Sequence, residues 1–548
     1  MNTKNFSLKR ALAYLISIPV IISGFNMTIF ANAGGEQNGN AEIGGERVQI
    51  STEAELNDFA RRVNEGATRL NAILMNDITI NNENNWDPIG FVTRNDDGEI
   101  EKNNSYEGNF NGNNKTIKEL HIDKKEDGVG LFGVVGEKGT IRDLTIADSY
   151  IKGVNCVGGI VGVNLGEIEN CKNKNDVIVE GEECIGGNVG LNKGGKIDNC
   201  SNEGKVKGKK CIGGNVAANF NIGGVCEERE DGSVTVTELH MGIIKLCNNK
   251  GTIEGDINEG ENVGGNVGEN EGEVNECNNI GSVSGGCHVG GNAGTNEGTI
   301  IRCENEGKIA GCDNIGGNVG VNAEEESNNY YSVSLEEEKL KVKIEDCHNK
   351  GVVGGLYYNI GGIVGKNCKR GLIKGCYNEE DGQVVVENGE EVNENEVNEE
   401  EVNRNSVGGI VGENEGVIEK CNNEGLVKGK NSVGGIAGEN GGVILDCNNM
   451  NSVTGLSQVG GIVGLNDGGI AGTDDISIVS KCNNKGEVTG KSSVGGNIGL
   501  IIYQAIVSEC NNEGRVTGDK EVGEHVGCNR GSLEMTDCGN TGEVIRPQ

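Results

Sequence analysis

The chain has 548 residues, 94 of them glycine and only 3 proline, and its 84 acidic against 48 basic side chains give a formal net charge of −36. Collagen is excluded, because it needs glycine at every third position with abundant proline. Binding to nucleic acid or to anionic membranes is excluded as well, because it depends on Lys and Arg meeting phosphates. Aromatic residues, at 3 % of the chain, are too few for a large conventional globular core.

Residues 1–33 read as a secretory leader. Lys4, Lys9 and Arg10 form a basic start, Ala11 to Ile22 an apolar run, and Ala31-Asn32-Ala33 a small-residue site with cleavage after Ala33. No later apolar stretch approaches the 18 residues or more of a membrane span. A secreted or surface-held protein is therefore expected, joined to its leader by a linker over 34–50.

Residues 51–128 read as a cap and a first irregular coil. Thr52 and Glu55 are spaced as a capping box, and Leu56, Phe59, Ala60 and Val63 follow helical spacing up to Gly66. A short helix over 51–66 would cover the open end of whatever follows.

From residue 129 to 548 self-similarity dominates. VGGIVGENEGVIEKCNNEGLVKG (407–429) repeats as VGGIAGENGGVILDCNNMNSVTG (433–455). The cysteine of the C-N-N step recurs twelve times, as Cys171, Cys200, Cys247, Cys277, Cys303, Cys347, Cys376, Cys421, Cys447, Cys482, Cys510 and Cys538. The flanking columns are Ile and Val, bounded by glycine and asparagine, a strand-and-turn pattern without helical period. One unit holds too little to bury a core alone, but stacked coils line a shared interior and place like residues over like. The fold class expected is all-β: a parallel β-solenoid of about fourteen coils, right-handed by preference, behind a short N-terminal helix.

Three features of the repeat invite chemistry. The cysteine column suits reduced, buried thiols in a narrow interior better than disulfides, because parallel stacking holds Cβ atoms at about 4.8 Å, beyond the usual disulfide value. A second set, Cys156, Cys184 and Cys211, occupies a position that is polar in other coils, and an exposed corner is expected there. After the glycine pair, Asn188, Asn215, Asn266, Asn292 and Asn318 replace Ile in five consecutive coils, and their amides can hydrogen-bond along the axis as a ladder. Insertions near 219–245, 323–344, 378–405 and 467–479 interrupt the period. Phe220, Leu239 and Met241 in the first, with Tyr330, Tyr331 and Leu335 in the second, are the candidate partner contacts.

The scheme G-G-x-V-G-x-N-x-G followed by Ile-x-x-Cys-x-Asn resembles the GLUG repeat of exported bacterial proteins. The approach segment, with Trp86-Asp87-Pro88-Ile89-Gly90 and Tyr106-Glu107-Gly108-Asn109-Phe110, is similar to theirs too. The resemblance implies export and either an adhesin-like surface role or kinship with IgA-cleaving zinc metallopeptidases. The zinc motif His-Glu-x-x-His is absent among the five histidines, His121, His240, His288, His348 and His525. No catalytic, metal or cofactor site is expected. The favoured function is a non-enzymatic adhesion or scaffold module meeting a protein or glycan. The alternatives are a carbohydrate-active β-helix enzyme, betrayed by a carboxylate cluster in a cleft, and a non-catalytic stalk of the peptidase kind.

Overall fold

The computed structural model describes residues 47–80, 85–94, 100–223, 226–228, 234–236, 239–322, 342–386, 405–468 and 476–546. The segment read as a leader, with Ala33, and the contact candidates Tyr330, Tyr331 and Leu335 lie outside the described residues.

The stretch 407–434 shows how this sequence makes a coil. Val411–Asn414 forms one short strand; Val417–Glu419 and Asn422–Asn423 form a bent pair; Leu426–Lys428 and Asn431–Gly434 form a second. Such strands are too short to stand alone. Their partners are the equivalent strands one coil away: Val411 lies against Ala437, Ile418 against Ile444, Asn423 against Asn449 and Val427 against Val453, all parallel. Repetition of this pairing builds parallel sheets of 29, 24 and 13 strands among the described residues. The protein is a parallel β-solenoid with three-sided coils.

Alternation decides which residues enter the interior. Ile418, Cys421, Val427 and Val433 are fully buried, and Ile444, Cys447, Val453 and Val459 repeat them one coil on. Two residues per coil kink the chain through the left-handed region, Lys420 (φ 56°) and Ser432 (φ 44°) in one coil, Asp446 (φ 54°) and Gln458 (φ 56°) in the next. The glycine pair answers to crowding instead. A Cβ at Gly408 would collide with the carbonyl of Val411, and one at Gly409 with the carbonyl of Gly435 and the amide of Asn423.

At the N-terminal end the helix runs Glu53–Asn64 with Thr52 as its cap. The Glu55 amide donates to Thr52 Oγ1 at 3.3 Å, while the Glu55 carboxylate accepts from the Ser51 and Thr52 amides at 2.7 and 3.1 Å. Leu56, Phe59, Ala60 and Val63 are buried on the face turned to the solenoid. The Phe59 ring lies 5.9 Å from Tyr106 and 5.7 Å from Phe110, and both of those meet Phe132. This aromatic plug fills the interior where the aliphatic columns begin. Stacking starts earlier than the sequence suggests: Arg47–Ile50, inside the segment read as linker, pairs in register with Asn71–Leu74, which continues onto Phe110. A four-residue strand with one fully buried side chain, Ile50, leaves little periodic signal.

Candidate functional site

Eleven of the twelve column cysteines, Cys171 to Cys510, are buried, and Cys538 in the last coil is partly so. The nineteen cysteines other than Cys226 are free thiols. The packing is repetitive: Cys277 Sγ donates to the Asn275 carbonyl at 3.4 Å and accepts from the Cys247 amide at 3.4 Å. Burial pushes the thiols of Cys247, Cys277 and Cys347 up, since the thiolate would be stranded without water. A protonated buried thiol is a poor nucleophile and a poor metal ligand. The column is interior packing.

Cys156, Cys184 and Cys211 occupy a left-handed corner, with φ of 52°, 57° and 48°. They are not exposed, as the polar character of this position elsewhere suggested, but buried at 1 %, 3 % and 6 % relative exposure. The reason lies on the outer face of the 13-strand sheet. There Val163, Leu191 and Ala218 stand in register, and Glu269 replaces them in the next coil. Leu191, Ala217 and Ala218, with Val163 and Phe220, close over the thiols. The Cys211 sulfur lies 3.0 Å from the Glu269 carboxylate. No group of three His, Cys, Asp or Glu among the described residues is placed to hold a metal ion.

Asparagine carries most of the side-chain hydrogen bonding along the axis. Asn188, Asn215, Asn266, Asn292 and Asn318 are fully buried, and each Nδ2 donates to the next Oδ1 at 2.7 Å. Two longer ladders flank this one, and neither was read from the sequence as a ladder. One is the Asn of V-G-x-N, running from Asn164 through Asn270, Asn367 and Asn440 to Asn466; the other is the second Asn of C-N-N, from Asn202 through Asn305 and Asn423 to Asn540. Their side chains also bond the turn two residues on: Asn202 Nδ2 donates to the Gly204 carbonyl and Asn202 Oδ1 accepts from its amide, both at 3.2 Å. The signal was invariance of Asn where any turn-former would serve. The first acceptors of the two long ladders, Asn164 and Asn202 Oδ1, are met by the Gly166 and Gly204 amides, whereas the buried Oδ1 of Asn188, first of the shorter ladder, has no partner.

Three of the four insertions depart at one corner, between the 13-strand and 29-strand sheets, after Phe220, Asn322 and Asn466. The fourth leaves after Val386, within the 24-strand sheet. Phe220 is half-buried against the thiol corner, whereas Leu239 and Met241 are 48 % and 41 % exposed.

One polar cluster was not anticipated at any residue. Glu413 and Glu439 are register partners on the outer face of the 13-strand sheet, beside a cavity of about 370 Å³. Asn359 Nδ2 donates to Glu413 at 2.7 Å, Ser406 Oγ donates to Glu439 at 3.1 Å, and Lys366 lies 3.5 Å from both Glu413 and Glu415. Burial holds the Glu413 carboxyl above its ordinary range, against the pull of Lys366. Carboxylates one coil apart, one of them kept protonated more readily, can divide acid and base work. Both occupy the variable position of V-G-x-N, which hid them among 84 acidic residues.

Comparison with known proteins places a motif on this geometry. The family model described as "The GLUG motif" matches residues 153–178, which is one coil from the turn before Asn155–Gly158 to the strand starting at Ile178. Halomucin from Haloquadratum walsbyi is 44 % identical over 66 residues, 12 % of this chain and 1 % of that protein. A protein of Evansella cellulosilytica named as a Gly-rich membrane protein is 36 % identical over 89 residues, 16 % of this chain and 9 % of its own. The chain thus spans a small fraction of the curated relatives it matches. A solved immunoglobulin A1 protease-like protein from Bacteroides ovatus aligns with a TM-score of 0.35 and 18 % identity, over 55 % of this chain and 74 % of that one.

Proposed function

We propose that this GLUG-repeat protein is an exported, non-enzymatic rod that acts in adhesion or as a scaffold at a cell surface. The observation that carries the reading is the division of labour between rod and insertions. Coil pairs with coil in parallel through all three sheets, while Leu239 and Met241 stand exposed in an insertion at the corner that two other insertions share. Loops of that kind vary without disturbing a stack and so collect binding residues. The names of the sequence relatives, halomucin and a Gly-rich membrane protein, support a surface setting. The test is excision of 221–241 and 323–341 together. The rod should keep its circular dichroism and melting while attachment to the recipient surface is lost; retained attachment would move the function to the coil faces.

A second reading, a carbohydrate-active enzyme, is favoured by one observation, the Glu413–Glu439 pair beside its cavity. Neighbouring coils lie about 4.8 Å apart, close to the roughly 5–5.5 Å between the carboxyl groups of retaining glycosidases. Release of reducing ends from a polysaccharide panel, abolished by Glu413→Gln, would establish it; no release by the native chain would remove it.

A further inference from the structure

On the outer face of the 29-strand sheet, the first coils are charged on both sides of the buried Ile column. Glu167 and Glu169 flank it in one coil, Lys196 and Asp198 in the next. From Val417 to Asn511 the face changes character. Val417, Val443, Ile478 and Ile506 stand in register in four consecutive coils, each half-buried on the outward side. Two residues on, Leu445, Ser480 and Ser508 form an uncharged column, and Ser508 Oγ donates to Ser480 Oγ at 2.9 Å. Past the next corner Asn448, Asn483 and Asn511 each donate to the outward Asn of the coil before, at 2.8, 3.0 and 3.0 Å. Contiguous exposed patches with aliphatic content mark contact surfaces.

One charged column crosses this patch, and its order selects the partner. The corner residues are Lys420, Asp446, Lys481 and Glu509, all exposed and all left-handed, with φ of 56°, 54°, 56° and 52°. Their signs alternate along the rod and sum to zero. Lys420 Nζ turns to Glu419 of its own coil at 2.7 Å, and among the described residues no ion pair joins two coils within this run. Nearer the N-terminus the same column is paired inside the chain, Arg302 to Glu276 at 2.8 Å, beside the polar row Glu273, Thr299 and Lys343.

An alternating row of four charges is complementary to its own reverse. A two-fold axis lying in the interface, across the rod and between the coils of Asp446 and Lys481, sets every column against itself reversed. Val443 then meets Ile478 of the second copy and Val417 meets Ile506, while Asp446 meets Lys481 and Lys420 meets Glu509. Parallel rods would oppose like charges instead. With a net charge of −36, two copies repel over most of their surface, so a neutral and self-complementary patch is where a second copy can be met.

We propose that this face is a self-association surface on which two copies of the chain pair antiparallel, Val443 against Ile478 and Asp446 against Lys481. Sedimentation velocity and light scattering on the chain lacking residues 1–33 test it. A dimer with Kd of about 10 µM or tighter is expected. Ile478→Lys should weaken it at least about tenfold. Lys196 and Lys343 occupy the same column in other coils, so the rod tolerates the change, and melting checks each variant. Lys481→Glu and Asp446→Lys should each weaken the dimer about tenfold, and the double exchange should restore it, because the exchanged row is again complementary to its reverse. A native chain still monomeric at about 100 µM, a folded Ile478→Lys chain that pairs as tightly as the native one, or a double exchange as weak as the single ones would each overturn the proposal. Monomeric rods that adsorb to an insoluble polysaccharide, and lose this with Ile478→Lys, would overturn it in favour of a glycan.

Discussion

At the scale of single residues, asparagine and cysteine do work that larger proteins give to other side chains. A buried amide has two donors and a two-lone-pair acceptor to satisfy. In the ladders it meets them with its neighbours above and below and with its own turn, so a polar column is held inside a narrow rod at little cost. Asn279 accepts from Asn249 at 2.8 Å and donates to Asn305 at 2.8 Å and to the Gly281 carbonyl at 3.1 Å. Asn279→Ala removes all three and strands groups on both sides. The expected loss is about 2–4 kcal/mol in urea unfolding. The thiols make a separate prediction. Buried in the interior, they should resist alkylation in the folded chain, and titration after unfolding without reductant should find most of them free.

Glu413 gives the pH-dependent case. Its folded carboxyl is raised above the ordinary value of 4.5, chiefly by burial, so the fold prefers the protonated form. The stability tied to that proton is complete at pH below the unfolded value and is lost as pH rises through the folded one. Glu413→Gln should therefore be more stable than the native chain at pH 7, with the gap closing near pH 4. A gap that persists in acid, in paired unfolding curves, would show that the charge is not its cause.

At the scale of elements, the capping helix is the part that local sequence rules describe best. The Thr52–Glu55 box, the acidic first turn, Arg61 and Arg62 in the last turn and the buried face Leu56, Phe59, Val63 all agree. That agreement across levels is why the helix was legible. It begins and ends two residues inside the expected 51–66, because Thr52 is the N-cap, Glu65 already serves as the C-cap and Gly66, at φ 116°, leads the chain away. Replacing Leu56 and Phe59 with Asp would place two charges on the aromatic plug formed with Tyr106 and Phe110. Loss of at least about 4 kcal/mol, or aggregation through the uncovered end, is expected, read by melting and light scattering.

At the scale of the whole molecule, each coil touches mainly its neighbours, so coils are interchangeable where their register is complete. Val407 pairs with Val433, so deleting 407–432 joins Ser406 to Val433 and keeps every column aligned. The shortened chain should keep its parallel-β circular dichroism and a cooperative transition, with the midpoint moved by no more than about 5 °C. A deletion of the same length that begins at the strand Val417–Glu419 is also in phase; a deletion of 20 residues is not, and should fail to fold.

The sequence alone determined the solenoid, because stacking writes itself as columns: a cysteine twelve times over, with Ile and Val at fixed offsets from it. It also determined the cap, where local propensity and burial point the same way. It did not determine which outward residues meet. The position x of V-G-x-N is Val163, Leu191 and Ala218 at one end and Glu413 and Glu439 farther along. Only the register between coils turns the first set into a lid over Cys156, Cys184 and Cys211, and the second into a carboxylate pair. The cavity between the first coils and the strand Phe91–Arg94 depends on a hairpin with Ile100–Asn103 folding back over the sheet, a contact with no periodic trace. Interior residues repeat because every coil imposes the same steric demand on them. Outer residues answer to whatever the tertiary structure lays across them, and that differs from coil to coil.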